Sequence, residues 1–152
     1  MELELITNNN KDIYHRLMQL YLYDCNQYFP ISLNNEGIFI YDNEKDYIDN
    51  KEHIGYIIKK DNKLIGFILL DSINNKNEIQ EIFIINSYRK NKIGYEVVKK
   101  ILDKYKGTWT IKCLPNSEQA ESFWTNVISK NIKDYKIEHT GKYNRAEITF
   151  KN

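Results

Sequence analysis

Helical and strand-like hydrophobic patterns follow one another along the chain. Alternating glutamate and aliphatic residues over 2–6 predict a short first strand, and a helical pattern over 11–23 predicts the first helix. The apolar positions of this helix and its N-cap are Ile13, Leu17, Leu20, Tyr21 and Asn10. Residues 24–50 contain a proline, a glycine and many Asn and Asp, which predicts loops with one or two short helices around 43–50.

The central part of the chain has the two-residue periodicity of strands. Strands are predicted over 53–59 and 64–71, joined by a tight turn at 60–63, and a third strand over 78–85. Residues 64–70 are apolar on both faces, which is typical of a central strand that is covered on both sides.

The C-terminal half alternates between helices and strands. A helix is predicted to begin near Gly94, with Gly107 as its C′ residue. Its apolar stripe is Val97, Val98, Ile101, Leu102 and Tyr105. The other predicted elements are a strand over 108–113, a helix that opens at 115–117 with the stripe Ala120, Phe123, Trp124, Val127 and Ile128, and strands near 135–140 and 145–150 around Gly141. This order predicts an α/β fold of the mixed α+β kind, as one domain over 1–152 with a mostly antiparallel twisted sheet and helices on both faces.

Charge and hydropathy argue against several classes of partner. The 22 basic and 21 acidic residues give a net charge of +1, whereas nucleic-acid-binding proteins usually have a clear basic excess, so we expect no nucleic-acid partner. The local basic cluster 89–92 suits a single polyanionic small molecule better. No apolar run approaches the ~18 residues of a membrane span, and residues 1–10 do not resemble a leader. We therefore expect no membrane partner and a cytoplasmic location.

Cysteine and histidine spacing predicts no metal site. Cys25 and Cys113 lie far apart without a CxxC pair, so we expect two buried thiols in a reducing compartment. The three histidines, His15, His53 and His139, lie on separate predicted elements and form no ligand spacing.

The turn between the third predicted strand and the next helix is the candidate site. Consecutive backbone N–H groups at a helix N-terminus bind phosphate, and the helix dipole favours negative charge there. Arg89, Lys90 and Lys92 add positive charge, and Gly94 permits close approach of a ligand. A solvated loop without a ligand is the alternative interpretation.

This turn resembles motif A of the GCN5-related N-acetyltransferases, a strand followed by Arg/Gln-x-x-Gly-x-Gly/Ala. In the segment 82–94, Arg89 matches the first position and Gly94 the last, whereas Lys92 stands where the first glycine is expected. The strand-turn-helix context supports the match.

A second segment, 116–124, resembles motif B of the same family, Asn-x-x-Ala-x-x-Phe/Leu-Tyr. The Phe-Trp pair at 123–124 and the Leu-Tyr-Leu-Tyr-Asp segment at 20–24 are similar to a poorly characterised bacterial subgroup of predicted acetyltransferases.

The resemblance implies that the chain binds acetyl-coenzyme A. It implies a sheet splayed at its centre, where backbone groups of Phe83 and Ile84 pair with the pantetheine amides and an N–H polarises the thioester carbonyl. The backbone of 89–94 would cradle the pyrophosphate, with the basic side chains as outer charge. A lysine at position 92 costs about 1 kcal/mol if its backbone is left-handed. The implied cofactor-binding residues are Ile82, Phe83, Ile84, Arg89, Lys90, Asn91, Lys92, Ile93, Gly94, Tyr95 and Asn116.

Two proton-transfer roles follow from the same resemblance. Glu78 and Glu81 are the ionisable candidates in the motif A strand, and Glu81, adjacent to the splay, is the predicted general base, with a pKa that burial raises. A strand-edge glutamate in water or a salt bridge is the alternative. Trp124 occupies the position of the tyrosine that often protonates the leaving thiolate in the family. Tyr88 is therefore predicted as the catalytic acid, with Tyr95, Tyr143 or unassisted departure as alternatives.

The implied function is direct acetyl transfer from acetyl-CoA to an amine of an unidentified acceptor, by a monomer or homodimer. The Tyr-rich segment 21–29 and the following loop are expected either to wall the acceptor pocket or only to pack. One alternative, which Lys92 and Trp124 support, is a catalytically impaired acyl-CoA-binding sensor or interaction module. Another is a phosphate-ligand binder outside this family.

Overall fold

A computed structural model describes residues 1–28, 30–115 and 117–152. The strands are β1 Glu2–Leu5, β2 His53–Lys60, β3 Lys63–Ile73, β4 Lys76–Ile84, β5 Thr108–Lys112, β6 Tyr135–Thr140 and β7 Arg145–Lys151. The helices are α1 Lys11–Cys25, α2 Ile93–Lys104 and α3 Glu118–Asn131, with short 3-10 helices at Glu44–Tyr47 and Asn86–Tyr88. No helix in these ranges is long and apolar enough to cross a bilayer.

The seven strands form one mixed sheet that opens at its centre. Their order is β1-β2-β3-β4-β5-β7-β6, and every neighbouring pair is antiparallel except β4 with β5. That parallel pairing ends at Ile79 opposite Ile111, so residues 80–84 of β4 have no partner in β5. The prediction of a mixed, mostly antiparallel sheet that is splayed at its centre is confirmed.

A β-bulge in β4 lies where the two strands separate. Leu70 of β3 pairs with Ile79, but the preceding Leu69 pairs with Glu81, so Gln80 is an extra residue on β4. A bulge bends its strand and increases the local twist, which turns the rest of β4 away from β5.

Helices cover both faces of the sheet. The apolar sides of α2 and α3 pack on one face around the fully buried Trp109, and α1 packs on the other around the fully buried Phe67. Strand β3 is buried on both faces from Ile65 to Leu70, as a central strand should be, whereas Leu64 is 40% exposed.

The first helix differs from its prediction in length and phase. It continues two residues further, to Cys25, and it buries Tyr14 and Met18, whereas Leu20 is 52% exposed. The Asn10 side chain does not cap the helix. Its Oδ1 accepts a bond from the Thr7 N–H at 2.7 Å, so the side chain instead fixes the turn that joins β1 to α1.

Gly107 is not the C′ residue of α2. The helix ends at Lys104, and the next residue is already extended. Gly107 has φ +136°, and a Cβ there would lie 2.1 Å from the carbonyl oxygen of Asn75. A glycine is needed because the turn between β3 and β4 approaches the backbone closely at this point.

Candidate active site

The opening between β4 and β5 leads into a cleft of about 930 Å³. Its walls come from residues 79–84 of β4, the C-terminal end of α1, the turn after β4, the residues between β5 and α3, and the start of β7. The predicted Tyr-rich wall is partly confirmed: Tyr21, Asp24, Cys25 and Tyr28 line the cleft. Phe29 and the predicted cofactor-binding residue Asn116 lie outside the described residues.

The open edge of β4 presents backbone groups to the cleft. The Ile85 N–H donates to the Ile65 carbonyl of β3 at 2.9 Å. Antiparallel pairing alternates, so the backbone groups of Phe83 also point to β3, whereas those of Ile82 and Ile84 point to the cleft, where β5 provides no partner. This edge fits an extended ligand arm that carries amide groups.

The N-terminus of α2 presents further donors. The first bond within this helix runs from the Glu96 N–H to the Lys92 carbonyl at 3.0 Å, so the N–H groups of 93–95 have no acceptor in the helix. No side chain of the described residues caps this end. Free amides and the helix dipole together suit a phosphate group.

Two lysines in the turn have left-handed backbones. Lys90 has φ 64° and Lys92, the N-cap of α2, has φ 60°. Lys92 stands where motif A has its first glycine. The left-handed backbone at this position explains why motif A has glycine there. The side chains of Lys90, Asn91 and Lys92 are exposed.

The last residues of the turn pack inside the protein. Ile93 is buried, and Tyr95 donates a hydrogen bond to Asn131 at 3.3 Å, away from the cleft. A Cβ on Gly94 would lie 3.0 Å from the Phe123 ring. Gly94 therefore allows α2 to approach α3, besides lining the cleft.

Arg89 turns inward, whereas we predicted it as outer charge. Its Nε donates to the Ile84 carbonyl at 2.6 Å, and its NH2 group pairs with Asp24 at 2.7 Å. Its guanidinium also lies over the Phe83 ring, 5.7 Å from the centroid. The Arg89 side chain thus ties the end of α1 to the end of β4.

Glu81 is half-buried at the base of the cleft. Its carboxylate accepts hydrogen bonds from the hydroxyls of Tyr21 and, at 3.3 Å, Tyr41. Burial raises the pKa of Glu81 to about 7, against the lowering effect of the two tyrosine bonds and of the Arg145 charge. The ion pairs of the described cleft join Asp24 to Arg89 and Glu78 to Lys112, so Glu81 has no salt-bridge partner there.

Of the three tyrosines considered as proton donors, two line the cleft and one does not. Tyr88 is half-buried and Tyr143 is 57% exposed, and both line the cleft, whereas Tyr95 does not. Trp124 is buried in the cleft wall at the position of the family's tyrosine.

Cys25 and Cys113 are buried free thiols, as expected, and burial raises the pKa of each to about 11.

Sequence reasoning missed three contributors to this site. Tyr41 bonds Glu81 across 40 positions, and Asp24 bonds Arg89 across 65 positions, so no local pattern marks either pair. Arg145 lines the cleft from the start of β7, where it looks like an ordinary strand residue in the sequence.

Comparison with known proteins agrees with this architecture. The model of the acetyltransferase (GNAT) family matches residues 12–126. A search of curated proteins found no match. An acetyltransferase from Thermus thermophilus is 10% identical, with a TM-score of 0.73 over 99% of this chain and 96% of that one.

Two other similar structures contain coenzyme A. One is an aminoglycoside 6'-N-acetyltransferase, 18% identical with a TM-score of 0.62 over 98% of this chain and 94% of that one. The other is the PaiA N-acetyltransferase from Thermoplasma acidophilum, 16% identical with a TM-score of 0.63 over 100% of both chains. At these identities the likeness shows the fold, whereas the family match covers most of the sequence. The chain therefore belongs to the GNAT acetyltransferase family.

Proposed function

We propose that this protein is an N-acetyltransferase that moves the acetyl group of acetyl-CoA directly to an amine, with Glu81 as the general base. Acetyl-CoA is the donor that the family uses. The observation that carries the proposal is the Glu81 carboxyl group, which lies beside the open edge of β4 and has a pKa of about 7. A base with such a pKa is matched to proton transfer at neutral pH.

The chain offers two sets of backbone groups to the cofactor. The open-edge groups of Ile82 and the N–H of Ile84 fit the amides of the pantetheine arm, whereas the Ile84 carbonyl already accepts a bond from Arg89, and the N–H groups of 93–95 fit the pyrophosphate. The exposed side chains of Lys90 and Lys92 add positive charge near that helix end. When bound, acetyl-CoA supplies an acetyl group that is activated as a thioester. The predicted pairing of the Phe83 backbone with the pantetheine amides is contradicted, because those backbone groups point to β3. The cofactor contacts predicted for Arg89, Asn91, Tyr95 and Asn116 stay predictions.

Glu81 prepares the acceptor by removing a proton. An amine attacks only in its neutral form, and a carboxylate with a pKa of about 7 accepts the proton that the nitrogen loses as its bond to the acetyl carbon forms. The hydroxyls of Tyr21 and Tyr41 hold the carboxylate in place. The departing sulfur takes its proton from Tyr88, which lies half-buried in the same cleft.

A second candidate function is cofactor binding without turnover. Trp124 favours it, because an indole at the position of the family's tyrosine has no hydroxyl to protonate a thiolate. Both functions predict binding of coenzyme A, so only turnover separates them.

The test is thiol release from acetyl-CoA with a panel of amines, for the wild type, Glu81→Gln and the control Glu138→Gln, whose exposed glutamate lies on the edge strand β6. Loss of the base should lower kcat/KM by about 10²- to 10⁴-fold, and the control should match the wild type. Coenzyme A, but not ATP, should raise the Tm of all three proteins. Full activity of Glu81→Gln would refute the role of Glu81, and binding without thiol release by the wild type would establish the second candidate.

A further inference from the structure

Among the described residues, two cations in the cleft walls lack a salt-bridge partner: Lys90, whose side chain is exposed to solvent, and Arg145, which is half-buried. Arg89 pairs with Asp24 at 2.7 Å and Lys112 pairs with Glu78 at 2.8 Å. Arg145 also lines the cleft, yet within the ranges that the structure describes no carboxylate lies within salt-bridge distance of it. A half-buried cation without an anion is unfavourable unless a ligand compensates it.

The Arg145 side chain is on the same face of the sheet as Glu81. In β7, Ala146 and Ile148 are buried beneath α2 and α3, so the residue before them points to the opposite face by strand alternation. Glu81 contacts Tyr21 of α1, which covers that opposite face. Both side chains line the same cleft, and the positive charge of Arg145 lowers the pKa of Glu81.

Arg145 is oriented by the end of β5. Its Nε donates to the Cys113 carbonyl at 2.6 Å and its NH2 group to the Lys112 carbonyl at 3.1 Å. A guanidinium has five N–H donors, and these two bonds leave three of them available. A planar guanidinium that is held in place and still has free N–H donors is suited to bind a carboxylate through two hydrogen bonds.

Capping the end of β5 does not by itself require a charge. Any neutral donor satisfies a carbonyl, so carbonyl capping leaves the positive charge unexplained. The phosphates of the cofactor are an unsuitable partner, because the helix end that fits them follows the C-terminal end of β4, beyond Ile84. Arg145 is instead held by the carbonyls of Lys112 and Cys113, at the level where β4 separates from β5 after Ile79.

We propose that the acceptor is an amino acid or a similar small amine, whose carboxylate binds Arg145 while its amine lies at Glu81. This inference rests on the proposed function and adds a substrate class to it. The acceptor carboxylate neutralises Arg145, and the distance between the two side chains selects the spacing of the acceptor's amine and acid groups. Arg145 is thus the residue that determines specificity.

The test uses matched acceptors that differ only in the carboxylate. Amino acids are compared with their decarboxylated amines and their amides, and β-alanine with phosphoethanolamine, by thiol release from acetyl-CoA. The wild type should favour the carboxylates. Arg145→Gln should lower kcat/KM for them by about 10- to 100-fold, mainly through KM, and should change the amines and amides much less. Arg145→Lys should recover part of the loss, because it keeps the charge but not the planar fork.

The control variant is Lys136→Gln, which removes one exposed positive charge from the edge strand β6. It should behave as the wild type with every acceptor. An equal loss with all acceptors in Arg145→Gln would show a structural carbonyl cap only and would overturn the proposal. Equal rates for carboxylates and amines in the wild type, or preference for phosphoethanolamine, would also overturn it.

Calorimetry of amino acids with the coenzyme A complex separates this inference from the proposed function. If amino acids bind the wild type but not Arg145→Gln, the carboxylate site is supported even when no amine causes thiol release. Lack of thiol release with every amine would refute only the acetyltransferase proposal. Turnover of amines with no carboxylate effect on binding or rate leaves the acetyltransferase proposal standing and refutes the substrate class.

Discussion

The two ends of the open edge of β4 are built in contrasting ways. The turn after it, residues 86–94, is basic and short in sequence, is exposed at 86–87 and 90–92, and offers backbone amides at the start of a helix. At the other end lies the half-buried Glu81, whose position and pKa depend on hydroxyl groups from α1 and from the loop after it. Backbone donors tolerate changes of side chain, whereas the Glu81 environment depends on individual hydroxyl groups.

This contrast predicts different sensitivities to mutation. Substitutions of the exposed side chains in the turn should have small effects unless they alter φ, because the amides remain; Arg89, whose side chain turns inward, is the exception. Substitutions around Glu81 should change its pKa, and therefore the pH dependence of activity and stability.

The largest effect on stability should come from Glu81→Gln at high pH. The pKa of Glu81 is raised to about 7 in the folded state, so folding is favoured when the group is protonated and loses stability as pH rises from its unfolded value through 7. The glutamine variant does not titrate. Its stability advantage over the wild type should therefore grow between pH 5 and pH 8, to at most about 3 kcal/mol. Urea denaturation at several pH values measures it, and a constant difference would contradict the raised pKa.

Arg89→Ala should cost about 2 kcal/mol of stability. It removes the bonds to the Ile84 carbonyl and to Asp24, and it leaves the carboxylate of Asp24 without a partner. The matched control is Lys90→Ala, the exposed neighbour, which should stay within about 0.5 kcal/mol of the wild type. Equal effects of the two variants would show that the inward bonds of Arg89 contribute nothing.

Tyr21→Phe should shift the pH profile of activity. The Tyr21 hydroxyl donates to the Glu81 carboxylate and lowers its pKa, so its loss should move the acidic limb of kcat/KM up by about one unit, with activity recovering at higher pH. Tyr23→Phe is the control, because Tyr23 lies on the same helix and is 74% exposed. An unshifted limb in Tyr21→Phe would mean that Glu81 is not the titrating base.

The smallest effect belongs to the turn. Lys92→Gly should stabilise the protein by about 1 kcal/mol, because φ 60° is costly for lysine and not for glycine. Asn91→Gly, at a neighbouring residue without a positive φ, should give no gain. The affinity for coenzyme A, measured by calorimetry, should stay unchanged in Lys92→Gly. A large loss would show that the lysine side chain, rather than the amides, binds the phosphates.

The fold was predictable from the sequence because its signals are local. Period-two runs predicted β2, β3 and β4, and most residues of the predicted stripes of α2 and α3 are buried. Ala120 and Phe123 are only half-buried, and Tyr105 lies beyond the end of α2. The prediction that Leu20 lies on the buried face of α1 was wrong. This helix has more apolar residues than its buried face can hold, and only packing against the sheet determines which of them are buried.

The site was predictable where its residues are contiguous. The turn from Arg89 to Gly94 could be recognised as a motif, and the left-handed cost at Lys92 followed from the missing glycine. The inward direction of Arg89 was not predictable, because its partner Asp24 is 65 positions away. Arg145 likewise acquires its position only when β7 pairs with β5.

The single extra residue at Gln80 determines which face of the sheet Glu81, the proposed general base, lies on. Ile79 is buried beneath α2 and α3, and strict alternation would place Glu81 on that same apolar side. The inserted residue shifts the alternation of side chains by one, so Glu81 and Phe83 face α1 instead. Deleting Gln80 would leave Glu81 facing α1, because Ile79 and Glu81 would then be consecutive residues that alternate regularly. The deletion would instead remove the bend that turns β4 away from β5. A one-codon deletion in this strand would therefore close the opening to the cleft while keeping the carboxylate on its side of the sheet.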